Sequence, residues 1–150
     1  MYTIDASVHV SALNPREPES DSSRAFLALL RRERLPLFCP TLLAVEVAAA
    51  LARVFEDSGR ALGLAVALRQ LPGQTLVPLD QSLADLAAGL AARYRLRGAD
   101  AVYAAVTLRC GSTLVTLDRE QRERLPALVT TRRPAEVVEE WENTRAAGRG

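Results

Sequence analysis

Residues 1–10 read MYTIDASVHV, and this stretch decides the fold because it holds both a strand and the charge that ends it. The runs Tyr2–Ile4 and Val8–Val10 are typical of a strand that starts a buried sheet. Asp5 then interrupts this strand. Burying a lone ionised carboxylate costs several kcal/mol unless it is paired, protonated or bound to a metal. Asp5 therefore either begins a loop or is a negative charge that the fold requires.

Outward from this stretch, short apolar runs alternate with amphipathic segments along the whole chain. This alternation predicts a single α/β domain over residues 1–150, a sandwich around a mainly parallel sheet. The predicted strands cover about 2–4, 35–40, 73–79, 112–118 and 127–131. The predicted helices cover about 24–34, 41–59, 60–71, 82–96, 98–111, 119–125 and 134–141. We expect residues 143–150 to be a frayed tail.

Several predicted helix ends depend on single capping residues. Ser22 or Ser23 is the expected cap of the first long helix, and Asp80 or Ser82 is the expected cap of the helix over 82–96. Gly59 is expected to end the helix that starts near residue 41.

The composition excludes several classes of protein. The chain is 49% hydrophobic and 25% charged, which is globular, and its net charge of +1 means that any nucleic-acid site must be local. All 19 basic residues are arginine, so a lysine-dependent phosphate loop or Schiff-base enzyme is excluded. Without a membrane-spanning run or a signal-peptide pattern, we expect a cytoplasmic protein with no membrane partner. Cys39 and Cys110 are expected to be buried free thiols.

Four carboxylates do not fit on a polar helix face. Asp5 and Asp118 each follow a predicted strand, Asp100 lies in the first turn of ADAVYAAV, and Glu46 is surrounded by apolar residues in LLAVEVAAALA. A helix cap or the helix dipole explains each of the three aspartates taken singly. Glu46 has no such explanation, because it is predicted to lie in mid-helix.

Taken together, the four carboxylates predict a metal site. Ligands of open parallel sheets bind beyond the carboxyl ends of the strands. Four acids in one cleft repel one another unless divalent cations neutralise them. Oxygen ligands suit Mg²⁺ or Mn²⁺, and the single histidine, His9, argues against a zinc site. The usual chemistry of such a pocket is phosphodiester hydrolysis.

The segments YTIDAS, TLLAVEVAAAL, RGADAVYAAV and LVTLD, in this order, resemble the PIN-domain ribonucleases. More narrowly, they resemble the VapC-type toxins of toxin–antitoxin pairs, from Tyr2 to about Val138. The resemblance implies a three-layer α/β sandwich and a Mg²⁺-dependent endoribonuclease, usually a homodimer, that a cognate antitoxin protein holds inactive. It also assigns catalytic and metal-binding roles to four residues of this chain, Asp5, Glu46, Asp100 and Asp118.

The resemblance extends to two hydroxyl residues and has one visible exception. Ser7 and Thr116 match positions that orient water or carboxylates in such sites. The same hydroxyls would serve equally as turn or strand-end groups bonded to the backbone. An aromatic residue often follows the last aspartate of the family by a few positions, whereas the segment DREQRERL offers only Leu125.

Arginines near the acids are candidates for binding the phosphates of an RNA substrate, with tRNA the first RNA to test. They are Arg93, Arg95 and Arg97 before Asp100, and Arg119, Arg122 and Arg124 after Asp118. Helical arginines also serve as solvated partners of glutamates. Tyr103, one turn after Asp100, suits core packing better than base stacking. Two other functions stay open: a catalytically inactive PIN-like module that binds RNA or protein, and a metal-dependent phosphatase with the same pocket.

Overall fold

The structure is a computed structural model that describes residues 1–148. Five strands and eight helices alternate along this part of the chain. In chain order they are β1 (Tyr2–Ile4), α1 (Ala6–Leu13), α2 (Ser20–Arg32), β2 (Leu37–Pro40), α3 (Leu43–Phe55), α4 (Ser58–Leu68), β3 (Gln74–Val77), α5 (Gln81–Tyr94), α6 (Gly98–Cys110), β4 (Thr113–Val115), α7 (Arg119–Arg124), β5 (Thr131–Arg132) and α8 (Pro134–Ala147).

The strands form one parallel sheet in the order β3-β2-β1-β4-β5. Strand β1 lies at the centre, paired with β2 on one side and with β4 on the other. The chain thus reverses its direction of travel across the sheet between β1 and β4, which is where open parallel sheets bind ligands. This architecture confirms the predicted α/β sandwich with a parallel sheet.

Helix α6 positions the site because it packs across the three central strands, β2, β1 and β4. Every residue from Asp100 to Thr107 is buried, so the helix has no solvent-facing side over these two turns. A helix that is apolar all round belongs in a core. The charge of Asp100 is therefore placed inside the protein by the packing of its apolar neighbours.

One helix was not predicted, and two helix boundaries were predicted wrongly. Val8–Val10 were expected to be strand but lie in α1, which the Asp5 carboxylate caps by accepting the N–H of Ser7. Helix α2 starts at Ser20, so Ser22 and Ser23 lie inside it and are not its caps. Helix α3 ends at Phe55 because the next residue is left-handed, with φ of 53°. Gly59 belongs instead to α4, which begins early because the Asp57 carboxylate accepts the N–H of Arg60 at 2.9 Å.

The last third of the chain departs from prediction in its strands. The predicted strand 112–118 ends at Val115, and the predicted strand 127–131 contributes only its last residue to β5. The segment before β5 is a turn, in which the N–H groups of Leu128 and Val129 both donate to the carbonyl of Leu125.

The expected frayed tail is also wrong for residues 143–147, which continue α8. The Thr144 hydroxyl donates to the Glu140 carbonyl at 2.8 Å, and Arg145 forms an ion pair with Glu33 at 2.9 Å. Residues 149–150 of that prediction lie outside the described residues. Cys39 is buried and Cys110 half-buried, and both are free thiols. Across residues 1–148, every helix is too short or too polar to cross a membrane.

Candidate active site at the ends of β1 and β4

Asp5 directly follows β1, and its Oδ2 is held as an acceptor by three donors. Its Oδ2 accepts the N–H of Ser7 at 3.0 Å, the Ser7 hydroxyl, and the Thr116 hydroxyl at 3.2 Å. Only 5% of Asp5 is exposed. Asp5 thereby caps α1, as a strand-end aspartate commonly does. Ser7 and Thr116 both orient this buried carboxylate.

The same two hydroxyls link the end of β1 to the end of β4. The Ser7 Oγ accepts the N–H of Leu117 at 3.1 Å, and the Thr116 Oγ1 accepts the N–H of Asp118 at 3.0 Å. Asp118 in turn caps α7, because its Oδ1 accepts the N–H of Gln121 at 3.0 Å. The two strand-end aspartates are thus fixed relative to each other by hydrogen bonds of the intervening loop.

Asp100 enters the site from the first turn of α6 and is 8% exposed. Its Oδ1 accepts a hydrogen bond from Gln121, and its Oδ2 is buried without a hydrogen-bond partner. Burial raises the pKa of Asp100 to about 6, with further raising by the charges of Asp5 and Asp118. This perturbation shows that the three aspartates share one electrostatic environment.

Glu46 completes the group from α3. It lies in the first turn of that helix rather than in mid-helix, so the helix dipole does favour its charge. Its Oε2 is buried, and neither this atom nor the buried Tyr103 hydroxyl makes a hydrogen bond of normal geometry. Burial raises the pKa of Glu46, as do the charges of Asp5 and Asp100, while the Tyr103 hydroxyl lowers it. The structure therefore brings all four predicted acids together.

Gln121 is a site residue that the sequence analysis missed. Its Nε2 donates to Asp5 Oδ1 at 3.1 Å and to Asp100 Oδ1 at 3.0 Å, and the residue is fully buried. In the sequence it stands in the charged run REQRER, which is typical of a solvated helix. The one available signal was the missing aromatic residue, because Gln121 lies three residues after Asp118, within the segment where the family often has one.

Arg97 is the one predicted substrate arginine that contacts the acids within residues 1–148. Its guanidinium lies 2.9 Å from Glu120, 3.5 Å from Asp118 and 3.7 Å from Asp100, and its side chain is 67% exposed. The structure thus places one long, exposed cationic side chain beside the acids, and Glu120 lies next to it at the same exposed edge of the site.

The other predicted arginines form no ion pair with the four acids in residues 1–148. Arg124 pairs with Glu120 at 2.6 Å, and the Nε of Arg122 is buried without a hydrogen-bond partner. Arg93 stacks over the ring of Tyr94 at 5.7 Å, and Arg119 pairs with Glu123 at 2.6 Å along α7. Arg95 is an exposed residue with φ of 54° that ends α5. These last three arginines have the ordinary surface roles that the sequence analysis kept open.

Two further residues are settled by their burial. Tyr103 is fully buried, so its ring packs in the core and is unavailable for base stacking, although its hydroxyl adjoins Glu46. His9 is also fully buried, and both its ring nitrogens lack a partner. Burial lowers the pKa of His9 to about 4, which keeps the imidazole neutral.

The carboxylates of the site are chemically suited to a hard divalent cation, but they lie too far apart to bind one ion together. The donors are carboxylate oxygens, and two of them, Asp100 Oδ2 and Glu46 Oε2, are buried without a hydrogen-bond partner. Over residues 1–148, however, no three histidine, cysteine or acidic side chains are close enough to hold one ion together. The Gln121 amide bridges two of these acids, because it donates to both Asp5 and Asp100.

The chain is thus an α/β protein that carries a group of buried and half-buried acids at the switch point of its parallel sheet. The sequence profile of the PIN domain matches residues 2–124. The chain therefore belongs to the PIN domain family, which confirms the resemblance seen in the sequence. No curated protein sequence matches the chain significantly.

Solved structures show the same fold. VapC20 from Mycobacterium tuberculosis, a toxin that cleaves the sarcin–ricin loop, has a TM-score of 0.69 at 17% identity, over 82% of this chain and 94% of that one. VapBC2 from Rickettsia felis, solved with a promoter DNA fragment, has a TM-score of 0.66 at 13% identity and covers 88% of this chain and 97% of its own. FitAcB from Neisseria gonorrhoeae has a TM-score of 0.67 at 21% identity and covers 89% of this chain and 98% of its own.

Proposed function

We propose that this protein is a Mg²⁺- or Mn²⁺-dependent endoribonuclease and the toxin of a toxin–antitoxin pair. The observation that carries the proposal is the grouping of four acids at the switch point of a parallel sheet. Gln121 links Asp5, Asp100 and Asp118, and Glu46 is close enough to sense the charges of Asp5 and Asp100. Family membership supports it, because PIN nucleases generally use divalent metal ions. The fold shared with VapC and FitB toxin structures supports the toxin assignment.

Asp5, Glu46, Asp100 and Asp118 would hold the cation. When bound, the cation supplies an activated water and stabilises the oxygen that leaves phosphorus. The raised pKa values of Asp100 and Glu46 support this assignment, because burial first and neighbouring carboxylate charges second disfavour their ionised forms, and a bound cation would offset both effects.

The residues beside the four acids would orient the carboxylates and bind the phosphates of an RNA substrate. Ser7 and Thr116 keep Asp5 in one orientation as an acceptor. Arg97, at the rim, is the cation best placed to bind a phosphate next to the scissile bond, exchanging its carboxylate partners for substrate oxygens. We therefore assign Arg97, and not Arg93, Arg95 or Arg119, to substrate binding.

The proposed partners are a structured RNA and an antitoxin. VapC20 cleaves the sarcin–ricin loop, so structured RNAs, with tRNA included, are the substrates to test first. Several neighbours were solved as toxin–antitoxin complexes, which supports a cognate antitoxin for this chain. The proposal places the protein in the cytoplasm, where such RNAs are found.

A homodimer is the proposed assembly. Helices α3 and α4 pack on each other and leave apolar side chains outside, with Val45 62%, Leu62 59% and Val66 42% exposed. A second copy covering this surface would bury them. Light scattering on the purified protein tests this, and a monomer at micromolar concentration would contradict it.

The decisive experiment compares RNA cleavage with Mg²⁺, with Mn²⁺ and with EDTA, using protein freed of any antitoxin. We expect cleavage of tRNA or a ribosomal RNA fragment with either metal and none with EDTA. Asp5→Asn and Asp100→Asn should abolish cleavage, whereas Asp80→Asn, a strand-end aspartate outside the cleft, should leave it intact. Equal cleavage by all variants, or turnover of small phosphate esters without any effect of RNA, would contradict the proposal.

One observation favours a second candidate, a catalytically inactive PIN-like binding module. Gln121 donates to the acids and Arg97 pairs with them, so protein groups offset part of the repulsion between the carboxylates. Calorimetric titration with Mn²⁺ separates the two functions. Binding of RNA together with no binding of Mn²⁺ would favour the inactive module.

A further inference from the structure

Gln121 contacts three of the four acids, which is more than any other residue of the cleft is seen to contact in residues 1–148. Its main-chain N–H donates to Asp118, and its side-chain Nε2 donates to both Asp5 and Asp100. These aspartates come from three different elements of the fold. A single –NH₂ group that is shared by two carboxylates and is fully buried is unlike a surface glutamine.

The amide occupies an electrostatically important position. Two buried carboxylates repel each other, and each N–H bonded to them carries partial positive charge. Hydrogen bonds to ionised acceptors are stronger than bonds between neutral groups. The Gln121 amide therefore offsets part of the repulsion between Asp5 and Asp100 that a cation would otherwise offset.

The other end of the amide shows that its donors alone orient it. The Oε1 of Gln121 is buried and has no hydrogen-bond partner. Leaving such an acceptor unsatisfied is costly. The oxygen accepts no hydrogen bond from the described residues, so the two bonds that Nε2 donates to Asp5 and Asp100 keep the side chain in place.

We propose that Gln121 is a positioning residue that stands in for the cation. In the metal-free protein its amide holds Asp5 and Asp100 together, and a divalent cation that binds through the Oδ1 atoms of these two residues displaces the amide from them. This inference rests on the metal site of the proposed function. It predicts that Gln121 makes the metal-free fold more stable and weakens the affinity for metal.

The test is calorimetric titration of Mn²⁺ without RNA into wild-type protein and Gln121→Met. Methionine has a similar length and no donor, so the cation no longer has an amide to displace. We expect the Kd for Mn²⁺ to fall about tenfold in the variant, and its Tm in EDTA to fall by several degrees. A Kd equal to or weaker than that of the wild type would overturn the proposal.

Gln74→Met is the matched control. The Nε2 of Gln74 donates to the Leu68 carbonyl at 2.8 Å, far from the acids in the sheet order. We expect this variant to lose stability equally in EDTA and in Mn²⁺, with the Kd for Mn²⁺ unchanged. A merely structural role for Gln121 would give the same pattern in Gln121→Met.

A second measurement needs no variant. In ¹⁵N-labelled wild-type protein, Mg²⁺ should shift the side-chain NH₂ signals of Gln121 and speed their hydrogen exchange, and it should leave those of Gln74 unchanged. Unaltered Gln121 signals at saturating Mg²⁺ would overturn the proposal. If the wild type binds neither metal, the proposed function fails as well. If it binds metal and cleaves RNA while Gln121→Met binds no tighter, this inference alone fails.

Discussion

Two strand ends of the same sheet carry the same local structure. Asp80 follows β3 and caps α5 by accepting the N–H of Leu83 at 2.8 Å. Asp118 follows β4 and caps α7 by accepting the N–H of Gln121 at 3.0 Å. Each also has an arginine nearby, at 3.7 Å for Asp80 and 3.5 Å for Asp118.

The two ends differ in what surrounds the carboxylate. The Asp80 side chain is 58% exposed and lies beside an edge strand, whereas the Asp118 side chain is 26% exposed and lies next to the central strand. Only Asp118 adjoins the buried acids of β1 and α6. The capping chemistry is identical, so the position of a strand within the sheet, and not the local motif, separates a structural aspartate from a proposed metal ligand.

The largest expected effect is on catalysis. Asp118→Asn should lower the rate of RNA cleavage by at least about 100-fold, and Asp80→Asn should leave it unchanged. Asparagine is as good a helix cap as aspartate, so the Tm of both variants should stay within about 2 °C of the wild type. Cleavage assays and thermal melts check this. Equal rates for the two variants would remove the distinction between the strand ends.

The next effect is on the pH dependence of stability in EDTA. The pKa of Asp100 is raised to about 6, so the folded state binds this proton more tightly than the unfolded state does. The stability it contributes is present below about pH 4 and is lost as the pH rises through 6, on the order of 3 kcal/mol. Asp100→Asn should abolish this loss.

Urea denaturation of the wild type and Asp100→Asn between pH 4 and pH 7 measures the difference. The comparison of the two proteins is needed because His9 acts in the opposite direction. Its pKa is lowered to about 4, so its contribution is lost as the pH falls from about 6.5 towards 4. Parallel stability curves for the two proteins would show that Asp100 is not the perturbed group.

A smaller effect is expected for the arginine at each strand end. Arg97→Gln should weaken binding of RNA severalfold and reduce the slope of log K against log salt by about 1, as the loss of one phosphate contact does. Arg109→Gln, which alters the arginine beside Asp80, should change neither. Binding is measured in the Asp118→Asn background to prevent cleavage. An unchanged salt slope in Arg97→Gln would assign Arg97 to the acids alone.

The smallest effect is on the caps themselves. Asp80→Ala should cost about 1 kcal/mol in the free energy of unfolding, because α5 loses the acceptor of its N-cap. Asp118→Ala in EDTA should cost less, since losing the cap is offset by removing a charge that repels Asp100. Urea denaturation measures both. A larger cost for Asp118→Ala would mean that its cap outweighs the repulsion.

The sequence was a good guide wherever a single pattern carried the signal. The strand-end aspartates and the parallel sheet followed from alternation of apolar runs, and Gly111 ends α6 with φ of 57°, as its place after the helical run predicts. These features depend on neighbours in the chain. They can therefore be predicted without knowing what packs against them.

The rest depended on tertiary contacts that local patterns do not contain. Gln121 looks like surface in REQRER, and its burial follows only from α7 packing its amide against Asp5 and Asp100. The apolar segment before β5 resembled a strand, yet Val129 packs into the core from a turn. The end of α3 was missed because the cap of the following helix, Asp57, competed for the same residues.

The burial of α6 on all sides has an evolutionary consequence. Asp100 is the first of eight consecutive buried positions of this helix, 100–107. A substitution that enlarges or shrinks any of these side chains disturbs the placement of the Asp100 carboxylate. If the chain is toxic to the cell that makes it, cells that escape will carry mutations along this whole helix, not only at the acids. Many substitutions in this helix should inactivate the protein, and few should change its specificity. Substitutions that change substrate preference should instead occur at the exposed residues around Arg97.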